Sequence, residues 1–501
     1  MLEIKTLDSG RLSSGTTQDG LERTASSGGS SPAGGSGVTR TPQWMPTLGT
    51  VATPASELPV LDSVDVLVCG GGPAGTAAAI ASARGGARTL LLERNGYLGG
   101  MATAGLVVPH YNPFHNKGLN AEIIERLKEA DAWGADFWKI SFDPETWRHV
   151  TDDLVLDSGS DILFHTQVVA TLVEDDAVRG VVIENKSGRF AILAKVVIDA
   201  TGDGDVAARA GASYALGREE DGALQPMTTM FRMGGVAWIQ TTNDGLAQLV
   251  DAAIVATGSD FRLAYEFPWA IHLPNPREVV LMLVHVRGTD GTDARALTRS
   301  EVDGRRQARA AANFLRDNVP EFAESYLIET ASQIGVRETR RIIGDYVLTS
   351  EDIQEGRSFE DGIATVSFPI DIHDPVATGQ VAAKSAYHAP RGAYDIPYRS
   401  LLPAGFEQLL VAGRCISGTF EAHASYRVKG PCVAMGQAAG LAAALSVAQG
   451  VSPRELSPAL LRDELSAQGV KVWASDRVTK VKEAELNFQP ERRQRSFKGP
   501  T

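Results

Sequence analysis

Cysteine is scarce in this chain. Three occur in 501 residues, Cys69, Cys415 and Cys432, and none forms a C-x-x-C pair. That excludes a dithiol redox centre and a cysteine-ligated iron–sulfur cluster. It also suits a reducing compartment, so a cytoplasmic location is expected. Positive charge is short as well. The 48 Lys and Arg against 61 Asp and Glu leave a net charge of −13, which argues against nucleic acid or an anionic membrane as a partner. Long apolar runs are missing. The most sustained stretch, Ala438 to Ala448, contains Gly440 and Ser446 and is too short to cross a bilayer. The opening residues, Met-Leu-Glu-Ile-Lys, carry no signal core. No nucleophile elbow supports a Ser–His–Asp hydrolase. No internal repeat is visible, and no metal site is expected.

What is present is ordinary in bulk, 43% hydrophobic and 22% charged, and long enough for two or more domains with a sizeable core. The most informative stretch is Val64 to Gly75. An apolar run leads into G-x-G-x-x-G at Gly70, Gly72 and Gly75, with Pro73 and Ala74 between the last two and an alanine-rich helical run after them. This is the strand, turn and helix that hold the pyrophosphate of a dinucleotide. One glycine permits the turn, one lets backbone approach phosphate, and one lets helix pack on strand. The helix N-terminus supplies unpaired N–H groups. A second strand, Ala87 to Leu92, ends in Glu93, 18 residues past Gly75. An acid at about this spacing accepts hydrogen bonds from the ribose hydroxyls, and Arg94 follows it. No second G-x-G-x-x-G is evident for a nicotinamide.

Residues 1 to about 45 are rich in Gly, Ser and Thr and read as a disordered tail. An extended arm broken by Pro46, Pro54 and Pro59 carries on to residue 62, and a polar tail begins near Ser475. Asp143-Pro144-Glu145 predicts a helix to about Asp157. Strands are expected at 161–165, 167–173, 179–184 and 189–193, and Val196 to Ile198 reads as a further buried strand. From 206 to 400 the pattern becomes that of an inserted domain with an antiparallel sheet, including a strand at Val279 to Val284 and a helix from Arg305 to Asn318. Leu409 to Val411 is again a strand ending at a glycine, and Gly430-Pro431 opens a long helix to about Val447. This return of the nucleotide architecture points to a flavin rather than to a plain nicotinamide coenzyme. The expected fold class is therefore α/β: a Rossmann-like domain of parallel sheet, helices and a three-stranded meander (63–205 and 401–450), a substrate domain at 206–400, and a C-terminal helix and polar tail at 451–501.

Four stretches resemble the bacterial FAD-dependent oxidoreductase family of the glutathione-reductase-like superfamily. They are Gly70 to Gly75 with Glu93, Leu98 to Thr103, Ile198 to Asp205, and Ala412 to Ser417 with Arg427 to Gly440. Gln333 to Arg341 and Ile370 to Pro375 look specific to that family. The resemblance covers about residues 63 to 450. It implies tightly bound FAD, with Gly99, Gly100 and Met101 lining the flavin and Val168 giving a backbone contact to adenine. It also implies Gly202 and Asp203 near the pyrophosphate, Gly413 and Arg414 approaching the ribityl chain, and the helix from Gly430 and Pro431 pointing at the ring. Many relatives carry an acid after the glycine of the second motif; here Arg414 and Cys415 follow Gly413.

The implied reaction removes hydride plus proton from a small organic substrate (an alcohol, an amine or a C–C bond). The alternatives are a flavin monooxygenase and a non-catalytic electron-transfer subunit. Removing a proton needs a base, and His is the usual choice near neutral pH. His373 lies between Asp371 and Asp374 and is the candidate; His110 and His423 are weaker ones. Arg337, Glu338, Arg340 and Arg341 form a charged run in an apolar frame. In a strand Arg337 and Arg341 would share one face, and Glu338 and Arg340 the other. One face could anchor an anionic substrate, with Arg427 as a second contact, or the run could brace two domains. The other expected partners are an electron acceptor, oxygen or another, and a second copy of the chain.

Overall fold

From Val66 to Cys69 every residue of the first strand is buried, the pattern of a parallel strand covered on both faces. The computed structural model describes residues 57–470, apart from 113–116, 136–138, 238, 240–242, 266–267, 377–386 and 389–391. The tails expected at both ends and most of the extended arm lie outside the described residues.

The strand β1 (Val60–Cys69) turns into α1 (Pro73–Arg84) and returns as β2 (Thr89–Leu92). The helices α2 (Gly118–Glu129) and α3 (Pro144–Asp157) precede β3 (Asp161–Leu163). Asp143 caps α3 by accepting from the Thr146 amide, and Pro144 occupies its first turn. β4 (Gln167–Glu174), β5 (Ala177–Asn185) and β6 (Gly188–Asp199) form the antiparallel meander.

The two strands expected at 189–193 and 196–198 are one. β6 is long because its first half pairs with β5, while its second half pairs in parallel with β1, Val68 opposite Ile198 and Cys69 opposite Asp199. On its far side β6 takes β17 (Leu409–Val411), also parallel. The parallel order is therefore β3-β2-β1-β6-β17. Connections run outward from β1 in both directions, which makes its C-terminal end a topological switch point, the place where open α/β sheets bind ligands.

After α4 (Asp205–Ala210) and β7 (Tyr214–Leu216) comes a four-stranded antiparallel sheet. It is built from β8 (Phe231–Gly234), β9 (Trp269–His272), β10 (Val279–Met282) and β11 (Tyr326–Thr330), in the order β11-β8-β10-β9. Its chain also carries α5 (Asn243–Thr257) and α6 (Ala294–Asn318). α6 buries Ala296, Ser300, Gly304, Ala308, Ala311 and Leu315 on one stripe, against a second core that draws on residues 227–336. A third cluster joins Val280 and Ile271 of the sheet to Leu106 and Val108 of the first domain.

The stretch expected as one substrate domain is split by packing. β12 (Arg340–Ile342), α7 (Ser350–Glu355), β13 (Gly362–Val366) and β14 (Ile370–Asp371) follow the second core, with β15 (Tyr387–His388) and β16 (Tyr394–Pro397) after them. Ile342, Ile353, Ile363, Val366, Ile370 and Tyr394 from this part join the first core instead.

The described part of the chain closes with α8 (Phe420–Tyr426), α9 (Lys429–Gln449) and α10 (Pro458–Ala467). α9 starts at Lys429, so Pro431 sits inside its first turn rather than opening it. It is also longer than the apolar stretch expected from sequence. Its length and composition would suit a membrane span, but 83% of its most apolar window is buried inside the fold, and it forms part of the core between α1 and the sheet.

The α1–α9 contact brings backbone against backbone at two glycines. A Cβ on Gly436 would sit 2.0 Å from the Ala74 oxygen, and one on Gly440 would sit 2.1 Å from the Ala78 oxygen. The matched spacing of four makes the helices parallel, so both N-termini point the same way. The seam predicts the response to Gly440→Ala. Alanine gains about 1 kcal/mol of helix propensity over glycine, but its methyl group must push two backbones apart, which costs about 1–3 kcal/mol. The expected net loss is up to about 2 kcal/mol in urea unfolding; a raised midpoint would rule out the seam.

Candidate active site

At the switch point β1 ends in a bend whose sterics demand glycine. The Gly70 amide donates to the Leu92 oxygen at 2.8 Å, its φ is +105°, and a Cβ there would lie 2.5 Å from the Ala200 oxygen. Gly75 is closed in the same way, 1.7 Å from the Gly70 oxygen. Gly72 differs: a Cβ there would meet nothing nearer than 4.0 Å. This open position caps α1, which begins with Pro73 and has neither a capping side chain nor an acid in its first turn. The amides of Ala74 and Gly75 have no intrahelical partner by helix geometry, and the positive end is left uncompensated. That is the donor set a pyrophosphate needs, so the residues present fit a dinucleotide.

Glu93 is buried, and its two carboxylate oxygens accept from the Gly71 amide at 2.7 Å and the Asn95 amide at 2.8 Å. Each oxygen keeps a lone pair for a ribose hydroxyl. Arg94 beside it is exposed. The Gly99–Met101 loop docks onto the first one: the Gly99 amide donates to the Gly71 oxygen at 2.8 Å. A Cβ on Gly100 would lie 2.9 Å from the Gly72 Cα. Gly413 follows β17, and a Cβ there would lie 3.0 Å from the Ala74 Cβ and 4.0 Å from the Cys432 sulfur. The first turns of α1 and α9 and the end of β17 thus meet. The Gly430 amide, in the first turn of α9, donates to the Tyr111 oxygen at 3.0 Å. Val168 lies in β4 opposite Ile183 with its side chain in the core.

Arg414 spends its guanidinium on protein groups. Its guanidinium donates to the Gly202 oxygen at 2.9 Å, to the Val336 oxygen and to Asp203. Asp203 also accepts from the Thr339 hydroxyl at 2.7 Å. These bonds hold the 202–205 turn to the segment entering β12. Asp199 supports the same turn from beneath, accepting from the Thr201 hydroxyl and the Ala207 amide; burial pushes its carboxyl up despite those donors.

A second constellation stands where β14 meets the strands of the inserted sheet. The Nε2 atom of His373 lies 3.4 Å from an Asp371 carboxylate oxygen. Its ring centroid is 5.2 Å from that of His285 and 5.4 Å from that of Tyr265. Arg427 donates to the Asp371 main-chain oxygen at 3.1 Å and approaches its carboxylate at 3.9 Å. Arg337 is buried and donates to the Pro226 oxygen at 2.7 Å and the Thr228 hydroxyl at 2.6 Å. Among the described residues no carboxylate pairs with it.

Burial and the Arg427 charge lower the Arg337 pKa to about 10, so it remains a cation at neutral pH. Burial and Arg337 together take His373 down to about 4, against the pull of Asp371. Burial opposes ionisation of Asp371, but His373, Arg427 and Arg337 outweigh it and hold the carboxyl well below its usual range. Buried atoms left without a partner include His373 Nδ1, His285 Nε2, Gln225 Nε2 and Arg427 Nε. Such a concentration asks for a ligand.

His373, Arg337 and Arg427 are therefore brought together, and Arg340 is not. Arg340 pairs with Asp205 at 3.0 Å and lies over the Tyr214 ring. The strand reading of 337–341 fails because only 340–342 are extended in a ladder. Glu338 consequently pairs with Arg341, which it could not reach across a strand; burial, opposed by Arg341, pushes its carboxyl up to about 7. Sequence reasoning missed Gln225, Tyr265 and His285. They come from loops or strand ends far from every motif, and no local pattern marks them. His110 is buried with its Nε2 against the Asn120 oxygen at 2.8 Å, and His423 is buried in α8 near Tyr426.

Comparison with known proteins gives a family model, FAD dependent oxidoreductase, that matches residues 65–465. Among curated proteins, a vinyl phenol reductase of Lactiplantibacillus plantarum is 37% identical over 94 residues, 18% of this chain and 18% of that protein. A digeranylgeranylglycerophospholipid reductase of Methanosarcina acetivorans is 28% identical over 155 residues, 28% of this chain and 38% of that protein. The chain thus spans less than two fifths of either relative. A solved structure, a geranylgeranyl bacteriochlorophyll reductase-like protein from Thermoplasma acidophilum, aligns at 14% identity and a TM-score of 0.39, over 81% of this chain and 83% of that one.

The cradle predicts that Glu93→Ala weakens FAD binding. It removes the charged acceptor offered to the ribose hydroxyls, worth about 1.5–3 kcal/mol, or roughly 10- to 150-fold in FAD dissociation constant; the two amides it also strips lose their acceptor in the free and the loaded protein alike. Glu93→Gln keeps one acceptor oxygen and should fall between. Fluorescence of released flavin on dilution measures this, and equal retention in Glu93→Ala would remove Glu93 from the cradle.

Proposed function

The chain belongs to the FAD-dependent oxidoreductase family, and from that premise we propose that it oxidises a small anionic organic substrate seated between Arg337 and His373. FAD, held by Gly72, the first turn of α1, Glu93, Gly99–Gly100 and Gly413, supplies the two-electron acceptor when bound. The observation that carries the reading is a buried histidine, oriented by a carboxylate and kept neutral, beside a buried arginine with only neutral partners.

Arg337 positions the substrate. A guanidinium withdrawn from water is tolerated where an anion completes its fork, and the carbonyl and hydroxyl it holds leave its charge unbalanced. Arg427 adds a second cation on the same side, shared with Asp371. His373 moves the proton. With Nε2 turned to Asp371, that nitrogen carries the hydrogen and Nδ1 keeps the lone pair. Nδ1 is the atom left without a partner, and a proton taken there gives an imidazolium that Asp371 stabilises.

The low pKa favours a proton acceptor over a donor at neutral pH, hence oxidation of the substrate. It also couples the two residues. Arg337 is a main cause of the depression, so a carboxylate on Arg337 cancels its field and raises the basicity of His373 when a proton must move. Two of the curated relatives are named as reductases; the reverse direction would use the same atoms with His373 charged. Electrons leave to oxygen or another acceptor.

Anaerobic mixing of the FAD-loaded protein with small carboxylic acids that carry an oxidisable C–H bond tests the reading by flavin bleaching. His373→Ala should slow bleaching about 10²- to 10⁴-fold with FAD content unchanged, and Arg337→Met should chiefly raise the substrate concentration needed. Because the base works unprotonated, the rate falls as pH drops through its pKa. The second-order rate should lose activity near pH 4, the free-protein value, and the saturated rate at a higher pH. A single acid limb near 6.5 in both, or no bleaching by any acid, would sink the proposal.

A further inference from the structure

Lys429 breaks two electrostatic rules at once. It is buried, and an ammonium taken out of water needs a counter-charge. It is also the first residue of α9, where unpaired N–H groups repel a cation. Among the described residues no carboxylate pairs with it, and α9 has no acid in its first turn. Its ammonium donates to the Val107 oxygen and lies 5.2 Å from the Phe142 ring centroid. The titratable groups facing it are His110 and Cys432, both uncharged: burial and Lys429 lower His110 to about 3, and burial raises Cys432 to about 12. Burial brings Lys429 itself down to about 7.

Two buried ring nitrogens beside it lack partners: Trp147 Nε1, a donor, and His110 Nδ1, an acceptor because Nε2 donates to the Asn120 oxygen. Both belong to one cluster, their rings 5.5 Å apart. The cluster abuts the loop expected to line the flavin. A Cβ on Gly99 would lie 3.0 Å from Trp147 Cδ1, and Val107, which receives Lys429, donates its own amide to the Met101 oxygen at 3.0 Å. α9 also reaches past α1. Gly436 stands seven residues beyond Lys429, while its contact Ala74 stands one residue beyond Pro73. The N-terminus of α9 therefore projects about six residues, roughly 9 Å, farther than that of α1. A coenzyme whose pyrophosphate met α1 would reach toward Lys429 if it ran along this offset.

We propose that Lys429 stabilises the negative charge that two-electron reduction leaves on the flavin. Hydride delivery adds two electrons and one proton; the hydrogen stays on N5, and one unit of charge spreads over N1 and the C2 carbonyl. Lys429 and the end of α9 meet that charge, which relieves the like-charge conflict of the resting protein. Lys429 acts through the field, and the proton of the substrate goes elsewhere.

Sulfite is the probe. It bonds through sulfur to flavin N5, bleaches the ring and puts its charge at the same place. In the FAD-loaded protein, Lys429→Met should keep its FAD, bind sulfite roughly tenfold or more weakly and show a lower midpoint potential, with Lys429→Arg restoring most of both. Sulfite binding unchanged in an FAD-replete Lys429→Met overturns the proposal and leaves the family assignment standing. Should that variant not fold, the wild type decides. Photoreduced at neutral pH, it should show the anionic reduced-flavin spectrum, and a neutral reduced form overturns the proposal. A wild-type protein that never takes up FAD overturns this inference and the cofactor together.

Discussion

The backbone-to-backbone seam between α1 and α9 is the constraint on which the rest depends. At Gly436 and Gly440 the helices meet backbone to backbone, and Ala74 and Ala78 answer them. Two parallel helices at this distance bring two positive ends to one region, an arrangement that repels itself. Burial of the apolar seam and the sheet beneath holds them there. The unrelieved field at their ends is what an anionic coenzyme would use.

Buried arginines and lysine in this fold divide by their partners. Arg340, Arg341 and Arg414 meet Asp205, Glu338 and Asp203 and serve as braces between the first domain and the segment leaving the inserted sheet. Arg337 and Lys429 have carbonyl, hydroxyl or ring partners: Arg337 keeps its charge unbalanced, and burial brings Lys429 down to about 7, where it is part-charged at neutral pH. A brace that loses its carboxylate is destabilising, whereas an unbalanced cation already bears that cost and is relieved only by a ligand. Arg337 and Lys429 lie on either side of the 99–108 segment. One stands with the sheet that packs on Leu106 and Val108; the other donates to Val107. The proposed anion-binding and charge-stabilising roles thus both adjoin a single loop.

Much of the nucleotide half was legible before any coordinates. Gly70, Gly72, Gly75 and Glu93 were found from spacing, and the meander strands and α3 from alternation and an Asp-Pro cap. Where the reading failed, a long-range pairing had won. β6 is one strand because two different neighbours hold its two halves. α9 begins early because Gly430 is tied to Tyr111. Ile342, Ile353, Ile363, Val366, Ile370 and Tyr394 were expected with the inserted domain and pack into the first core. In the candidate site, His373 with Asp371 was visible as a short motif, but Gln225, Tyr265 and His285 reach it only through the crossing of the sheet with β14.

What the sequence by itself determined is everything whose cause lies within a turn or a strand: which glycines must be glycine, which faces are apolar, where a helix can begin. What only the tertiary structure decided is the meaning of each charge. Arg337 and Arg340 stand three residues apart in the same apolar frame. One faces neutral oxygens beside a histidine, and the other faces Asp205, 135 residues away in the chain. The Coulomb energy of a buried ion depends on the groups brought within a few ångströms and on the loss of water around it. Neither is a property of the neighbouring letters.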